Sequence, residues 1–144
     1  MSGLGRTLSA FVRHRSRGSR ADGSGIAERG RLVFVTEAVH SLTRRGRPAT
    51  VDTVAHEIGI DQSGSWRLLR DAAEAGYPIP RTSEADGRRR RASVTPTGDP
   101  VVEQAHDRQE RVFTRLTEGW SGQRRREFRQ AMADLLDRSH TLDV

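Results

Sequence analysis

Three changes of periodicity between Thr50 and Val94 constrain this chain more than any other feature of it. Val51, Val54, Ala55 and Ile58 recur at i, i+3, i+4 and i+7, a short amphipathic helix with Thr50 placed as N-cap and Gly59 as its end. Asp61 is placed to cap a second helix that runs to about Ala75 and stops at Gly76. Leu68, Leu69 and Ala72 form one stripe of that helix; Ser63, Trp66, Arg67 and Arg70 form the other. Two extended runs follow, one through Tyr77 to Ser83 and one through Arg88 to Thr95, and Asp86-Gly87 between them predicts a hairpin turn. Pro78 and Pro80 remove ladder donors from the first run, so it must be a short edge strand. Two helices on a Gly-containing turn, the second basic on its outer face, make a helix-turn-helix, and a hairpin directly after it is a wing.

Helices flank this unit on both sides. Leu4, Leu8, Phe11 and Val12 mark a short amphipathic helix that frays at Arg17-Gly18-Ser19, and residues 18–25 read as a flexible connection. A longer helix from about Ile26 to Arg45 turns Leu32, Val35, Val39 and Leu42 inward before Gly46 and Pro48 stop it. Downstream, Asp99 is expected as cap with Pro100 at the first helical position, and Val102, Ala105, Val112 and Leu116 as the inner face of a helix reaching about Gly119. Ser121 caps a final helix to about Ser139, with Phe128, Ala131, Met132, Leu135 and Leu136 as a wide apolar stripe. The expected class is mainly α, a winged helix-turn-helix over 46–95 between terminal helical segments, 1–45 and 96–144.

With 144 residues, a single domain, or one domain with helical appendages, is expected rather than two full-sized domains. Hydrophobic residues at 33% against 31% charged are few for a self-sufficient core, a tension that subunits sharing a core resolve. Dimerisation is therefore expected through Leu4, Leu8 and Phe11 at one end and Val112, Leu116, Phe128, Met132, Leu135 and Leu136 at the other. The formal charge is +6, concentrated as +4 over residues 1–25 and +3 over 62–91, and all 25 basic side chains are Arg. Arg suits phosphate and base-edge recognition. Without Cys there is no disulfide framework or thiolate metal site. No run approaches the roughly 20 apolar residues of a membrane span, and no apolar signal core opens the chain, so a soluble, cytoplasmic protein with no membrane partner is expected. His14, His40, His56, His106 and His140 show no ligand spacing, and no nucleophile elbow or phosphate loop is present. Neither metal, cofactor nor catalysis is expected.

The order of elements resembles the MarR family of bacterial winged-helix regulators. Thr50 to Ile60 looks like that family's helix before the turn, and Arg67-Leu68-Leu69 with Gly76 falls at matching places in its recognition helix. Asp86-Gly87-Arg88 resembles the family's D-x-R wing motif, and Val94-Thr95-Pro96-Thr97-Gly98 its L-T-P-x-G lead into the dimerisation helix. The resemblance covers roughly Ile26 to Ser139. It implies an obligate homodimer on a pseudo-palindromic operator in double-stranded DNA, a repressor often released by a small-molecule effector. Trp66 departs from the pattern, standing where relatives carry a small polar residue.

The candidate DNA-binding residues are Gln62, Ser63, Trp66, Arg67 and Arg70 on the second helix and Asp86, Arg88, Arg89 and Arg90 in the wing. One Arg of the helix can hold guanine bidentately and another a phosphate; the bland reading of the same stripe is a solvated face. By the resemblance, Arg88 enters the minor groove with Asp86 orienting it, and the neighbouring Arg residues hold phosphates. Strand alternation places Arg89 and Arg91 opposite to Arg88 and Arg90. Trp66 can touch thymine methyls or sugars, or lie on its own helix and shape the contact. Ser63 is expected outward, Ser65 inward. A basic RNA-binding or ribosome-associated protein without operator specificity is the alternative from another class.

Overall fold

Local cap chemistry sets the ends of the central helices. In the computed structural model, which describes residues 3–16, 25–83 and 86–142, α3 spans Val51–Ile58. Thr50 and Thr53 close its N-terminus reciprocally, each side chain bonding the other's backbone N–H, and Gly59 ends it in the left-handed region at φ 70°. Asp61 then accepts from the Gly64 N–H at 3.2 Å and opens α4, Gln62–Glu74. Gly76, at φ 84°, turns the chain out of it.

Six helices and one two-stranded sheet are present among the described residues. Besides α3 and α4 these are α1, Leu4–Ser16; α2, Gly25–Arg44; the antiparallel pair β1, Pro78–Ser83, and β2, Asp86–Val94; then α5, Asp99–Leu116, and α6, Gly122–Thr141. The connection expected over 18–25 falls, apart from Gly25, outside the described residues. The chain divides into two compact units, Met1–Ala105 and His106–Val144, so α5 begins in the first and ends in the second.

In the first unit, Val35, Ala38, Val39 and Leu42 of α2 meet Val54 of α3 and Leu69 and Ala72 of α4, with Ala49 closing one side. Full burial of each Val or Leu contributes about 1.5–3 kcal/mol, so α2 is the spine onto which both helices of the turn are pressed. Thr36 is fully buried within this face and is satisfied by donating to the Leu32 carbonyl at 2.7 Å. Arg45 at the end of α2 reaches Glu57 of α3 at 2.6 Å, both side chains about three-quarters buried. α1 contributes nothing to this core: Leu4, Leu8, Phe11 and Val12 are 43–89% exposed.

The wing is tied down by a third segment. Ala92 N–H donates to the Ala49 carbonyl at 2.7 Å, and Ala92 and Val94 pack on the core. At its base, the buried Thr95 hydroxyl bridges the Gly76 and Tyr77 carbonyls and receives the Gly98 N–H at 3.1 Å. This is the physical content of the Val94 to Gly98 motif: one hydroxyl joins the exit of α4, the wing and the approach to α5.

In three places the structure corrects the sequence reading. Asp86-Gly87 is not the hairpin turn. Both belong to β2, where Asp86 partners Ser83. Pairing runs regularly from Pro78↔Val94 to Thr82↔Arg90 and then shifts, leaving Gly87, Arg88 and Arg89 between two register pairs. The register shift sets a bulge at Gly87–Arg89, and the alternation expected through Arg88–Arg91 concerns side chains that, for Arg88, Arg89 and Arg90, lie outside the described residues. Asp99 is the first residue of α5 rather than its cap, because the Gly98 carbonyl already accepts from the Val102 N–H at 3.1 Å. Of the expected inner face of α5, Val102 and Ala105 are buried, Val112 is half-buried and Leu116 is 51% exposed.

The second unit is a helical hairpin with an aromatic hinge. Ser121 caps α6 by accepting the Arg124 N–H at 3.1 Å. Phe128 stacks on Phe113 at a centroid distance of 5.9 Å and meets Trp120 edge-on at 5.5 Å. Arg124 covers the Trp120 ring at 4.0 Å, and Arg125 donates twice to the Thr117 carbonyl at the end of α5. No residue of α6 is buried; Phe128, Met132, Leu135 and Leu136 are 39–57% exposed.

Candidate nucleic-acid interface

What lies beneath α4 decides which of its residues face outward. Ser65 is fully buried and its hydroxyl donates to the Val51 carbonyl of α3 at 2.9 Å, while Leu69 and Ala72 are seated in the core. These three anchors fix the rotation of the helix about its axis. Gln62, Ser63, Trp66, Arg67 and Arg70 consequently emerge together on the exposed face.

Two rows run along that face. Gln62, Trp66 and Arg70 follow at i, i+4 and i+8; Ser63 and Arg67 form the adjacent row. The first row is held at both ends. Gln62 donates to the Asp52 carboxylate of α3 at 2.7 Å, and the Arg70 guanidinium lies over the Trp66 ring at 4.9 Å while reaching Asp71 at 3.4 Å. Trp66 thus carries the guanidinium of a residue one turn further along its own helix, and it keeps 52% of its surface exposed. At an exposed site a stacked cation contributes about 0.5–1 kcal/mol, enough to bias a rotamer and too little to freeze one. The Arg70–Asp71 contact, half in solvent, adds little stability but sets a carboxylate beside the guanidinium.

The wing brings Asp86, Arg88, Arg89 and Arg90 onto one strand, with Arg88 and Arg89 in the bulge and Arg90 opposite Thr82. The side chains of these four lie outside the described part of the structure. Arg91, opposite Arg81, is exposed and adjoins Ala92, which is held to Ala49. The helix and wing candidates therefore belong to one compact unit, whose chain passes from α4 into β1 through Ala75, Gly76 and Tyr77.

Of the expected dimerisation residues, Leu4, Leu8, Phe11, Leu116, Phe128, Met132, Leu135 and Leu136 are all at least 39% exposed, and Val112 is half-buried. Sequence reasoning did not find the partners of Gln62 and Phe128. Asp52 lies ten residues before Gln62, Phe113 lies on the opposite arm of a hairpin and Trp120 in its connection, so helical periodicity carries no signal for either. Among the described residues no helix is long and apolar enough to cross a membrane, and no group of three or more His, Asp or Glu side chains is placed to hold a metal ion.

No family model and no curated protein matches the chain by sequence. Solved structures do match it in fold. A crystal structure of MarR superposes with a TM-score of 0.67 at 21% identity, covering 97% of this chain and 92% of that one. A MarR family protein from Bacillus stearothermophilus gives 0.63 at 16% identity over 95% and 91%. MepR of S. aureus, solved as a complex with DNA, gives 0.54 at 13% identity over 93% and 96%. The chain is mainly helical and has the winged helix-turn-helix fold of these proteins.

Proposed function

We propose that this chain, built on the fold of MarR-family proteins, is a DNA-binding transcriptional regulator that acts as a homodimer on a pseudo-palindromic duplex. One observation carries the reading: the anchors Ser65, Leu69 and Ala72 turn Gln62, Ser63, Trp66, Arg67 and Arg70 of α4 outward, directly before an Arg-rich wing. That arrangement suits a helix seated in the major groove, with Arg67 bidentate on a guanine, and a wing that holds backbone or minor groove through Arg88 and Arg89. MepR, among the proteins of like fold, was solved bound to DNA. The second copy is called for by the chain's own deficit. Both the α1 stripe and the α6 stripe stand bare, and together they form more apolar helix surface than a single small winged helix can cover.

On this reading two recognition helices enter successive major grooves, and half-site centres lie roughly 10 base pairs apart. Titration of the purified chain against a duplex selected from a random pool, a scrambled duplex and structured RNA tests it. The selected duplex should bind tightest, with affinity falling steeply as salt rises. Equal binding to structured RNA, or affinity insensitive to salt, would instead favour a basic RNA-binding protein or exclude phosphate neutralisation by these Arg residues.

A further inference from the structure

We propose that Trp66 and Arg70 read DNA as one unit, whose ligand is a pyrimidine methyl beside a guanine, a thymine–guanine step in the major groove. The inference rests on the assignment of α4 to that groove and deepens it by naming what the helix selects. Three observations converge. First, the Arg70 guanidinium sits 4.9 Å from the centre of the Trp66 ring. Neighbouring base pairs are stacked about 3.4 Å apart along a strand, and pairs two steps apart lie about twice that distance away, so the separation of the two groups is nearer to one step than to two. Second, the indole retains 52% of its surface in solvent on the same outward row, apolar surface that a methyl group can meet beside the guanidinium. Third, Arg70 has the Asp71 carboxylate at 3.4 Å. A carboxylate there repels a phosphate, whereas the guanine edge is an uncharged pair of acceptors that the remaining guanidinium donors can still reach.

The row is also ordered before any ligand arrives. Gln62 is bonded to Asp52 at one end, and Arg70 is stacked at the other. Less side-chain freedom is lost on docking, because the indole already biases Arg70 toward the rotamer that lies over it. Trp66 is thus a reading residue through its exposed surface and a positioning residue for Arg70 through the ring contact.

The test uses the full chain and the duplex it selects from a random-sequence pool, with uracil substituted singly for each thymine and 7-deazaguanine for each guanine. In the wild-type chain one uracil should weaken binding about four-fold, the worth of one methyl-sized group removed from an apolar contact. The guanine next to it should be the one whose 7-deaza form costs about ten-fold. Trp66→Ala should erase the uracil penalty and shrink the guanine penalty, with the salt slope unchanged because no phosphate contact is lost. Arg70→Ala should erase the guanine penalty, and Trp66→Phe should restore much of both. Far-UV circular dichroism of each variant checks the fold, which an exposed position such as 66 leaves intact. Unchanged penalties in Trp66→Ala, or a sensitive thymine not adjacent to the sensitive guanine, overturn the paired reading while leaving DNA recognition standing. A wild-type chain that enriches no sequence at all overturns the regulator assignment, and this inference with it.

Discussion

Gly98→Ala is expected to destabilise the first compact unit by about 1–3 kcal/mol, through packing at the base of the wing. A Cβ at this position falls 2.6 Å from the Tyr77 carbonyl oxygen and 2.9 Å from Val94 Cγ1, about 0.8 Å and 0.5 Å inside the ordinary 3.4 Å limit. The oxygen cannot simply retreat, because it accepts both the N–H and the hydroxyl of Thr95 at 2.7 Å. Overpacking of this kind costs about 1–3 kcal/mol, and weakening either Thr95 bond adds about 0.5–1.5 kcal/mol. Against this, Ala restricts the unfolded chain and returns about 0.4–1 kcal/mol. At about 4 °C per kcal/mol the midpoint should fall by roughly 4–12 °C in a thermal scan followed by far-UV circular dichroism. Gly30→Ala is the matched control. Gly30 is inside α2 with no atom within 4 Å of a new Cβ, so the same change there should stabilise by about 0.5–1 kcal/mol. A Gly98→Ala protein melting at or above the wild-type temperature would refute the argument.

Two further outcomes follow from the proposed interface and assembly. Leu135→Asp with Leu136→Asp, at positions 54% and 57% exposed, should leave each chain folded but monomeric in sedimentation velocity and unable to bind a palindrome; a wild-type monomer at micromolar concentration removes the premise. Arg67→Ala should cost about 1–3 kcal/mol on the selected duplex and much less on one altered at the contacted base pair, whereas Arg89→Ala should weaken all duplexes alike and Arg88→Ala should cost most where the flanking minor groove is narrow and A·T-rich. Identical losses on every duplex for Arg67→Ala and Arg88→Ala would show that neither reads sequence.

Features enforced locally were readable in the sequence. Thr50, Asp61 and Ser121 cap helices because their side-chain oxygens reach N–H groups two or three residues on, and Gly59 and Gly76 end helices because they supply positive φ. The inward face of α2 and the inward turn of Ser65 follow equally from the 3.6-residue period. Features enforced by distant segments were not. Asp86-Gly87 has the composition of a turn, but β2 is also paired to Ala49 through Ala92, and the register shift between Thr82 and Ser83 takes Asp86 into the strand. An apolar stripe tells that Leu116 belongs to a face of α5 without telling what covers it, and Phe113 to Phe128 is a contact across a hairpin. The candidate interface was legible as a list of residues. Its division into a tethered row and a free one depends on Asp52 and on which way the Arg70 guanidinium folds, neither of which has a sequence signature.

The two tryptophans of the chain fall one in each compact unit, and each lies beneath a guanidinium, Trp66 under Arg70 and Trp120 under Arg124. The molecule therefore carries two intrinsic optical probes with separate addresses. Trp66, half in water, emits from the outward face of α4, so a duplex bound there as proposed would change its emission by drying the indole. Trp120, packed edge-on against Phe128, emits from the hairpin and shifts to the red when α6 parts from α5. Replacing either indole by Phe leaves a single-wavelength record of the other, so events at the outward face of α4 and opening of the C-terminal hairpin can be timed independently in one unlabelled chain.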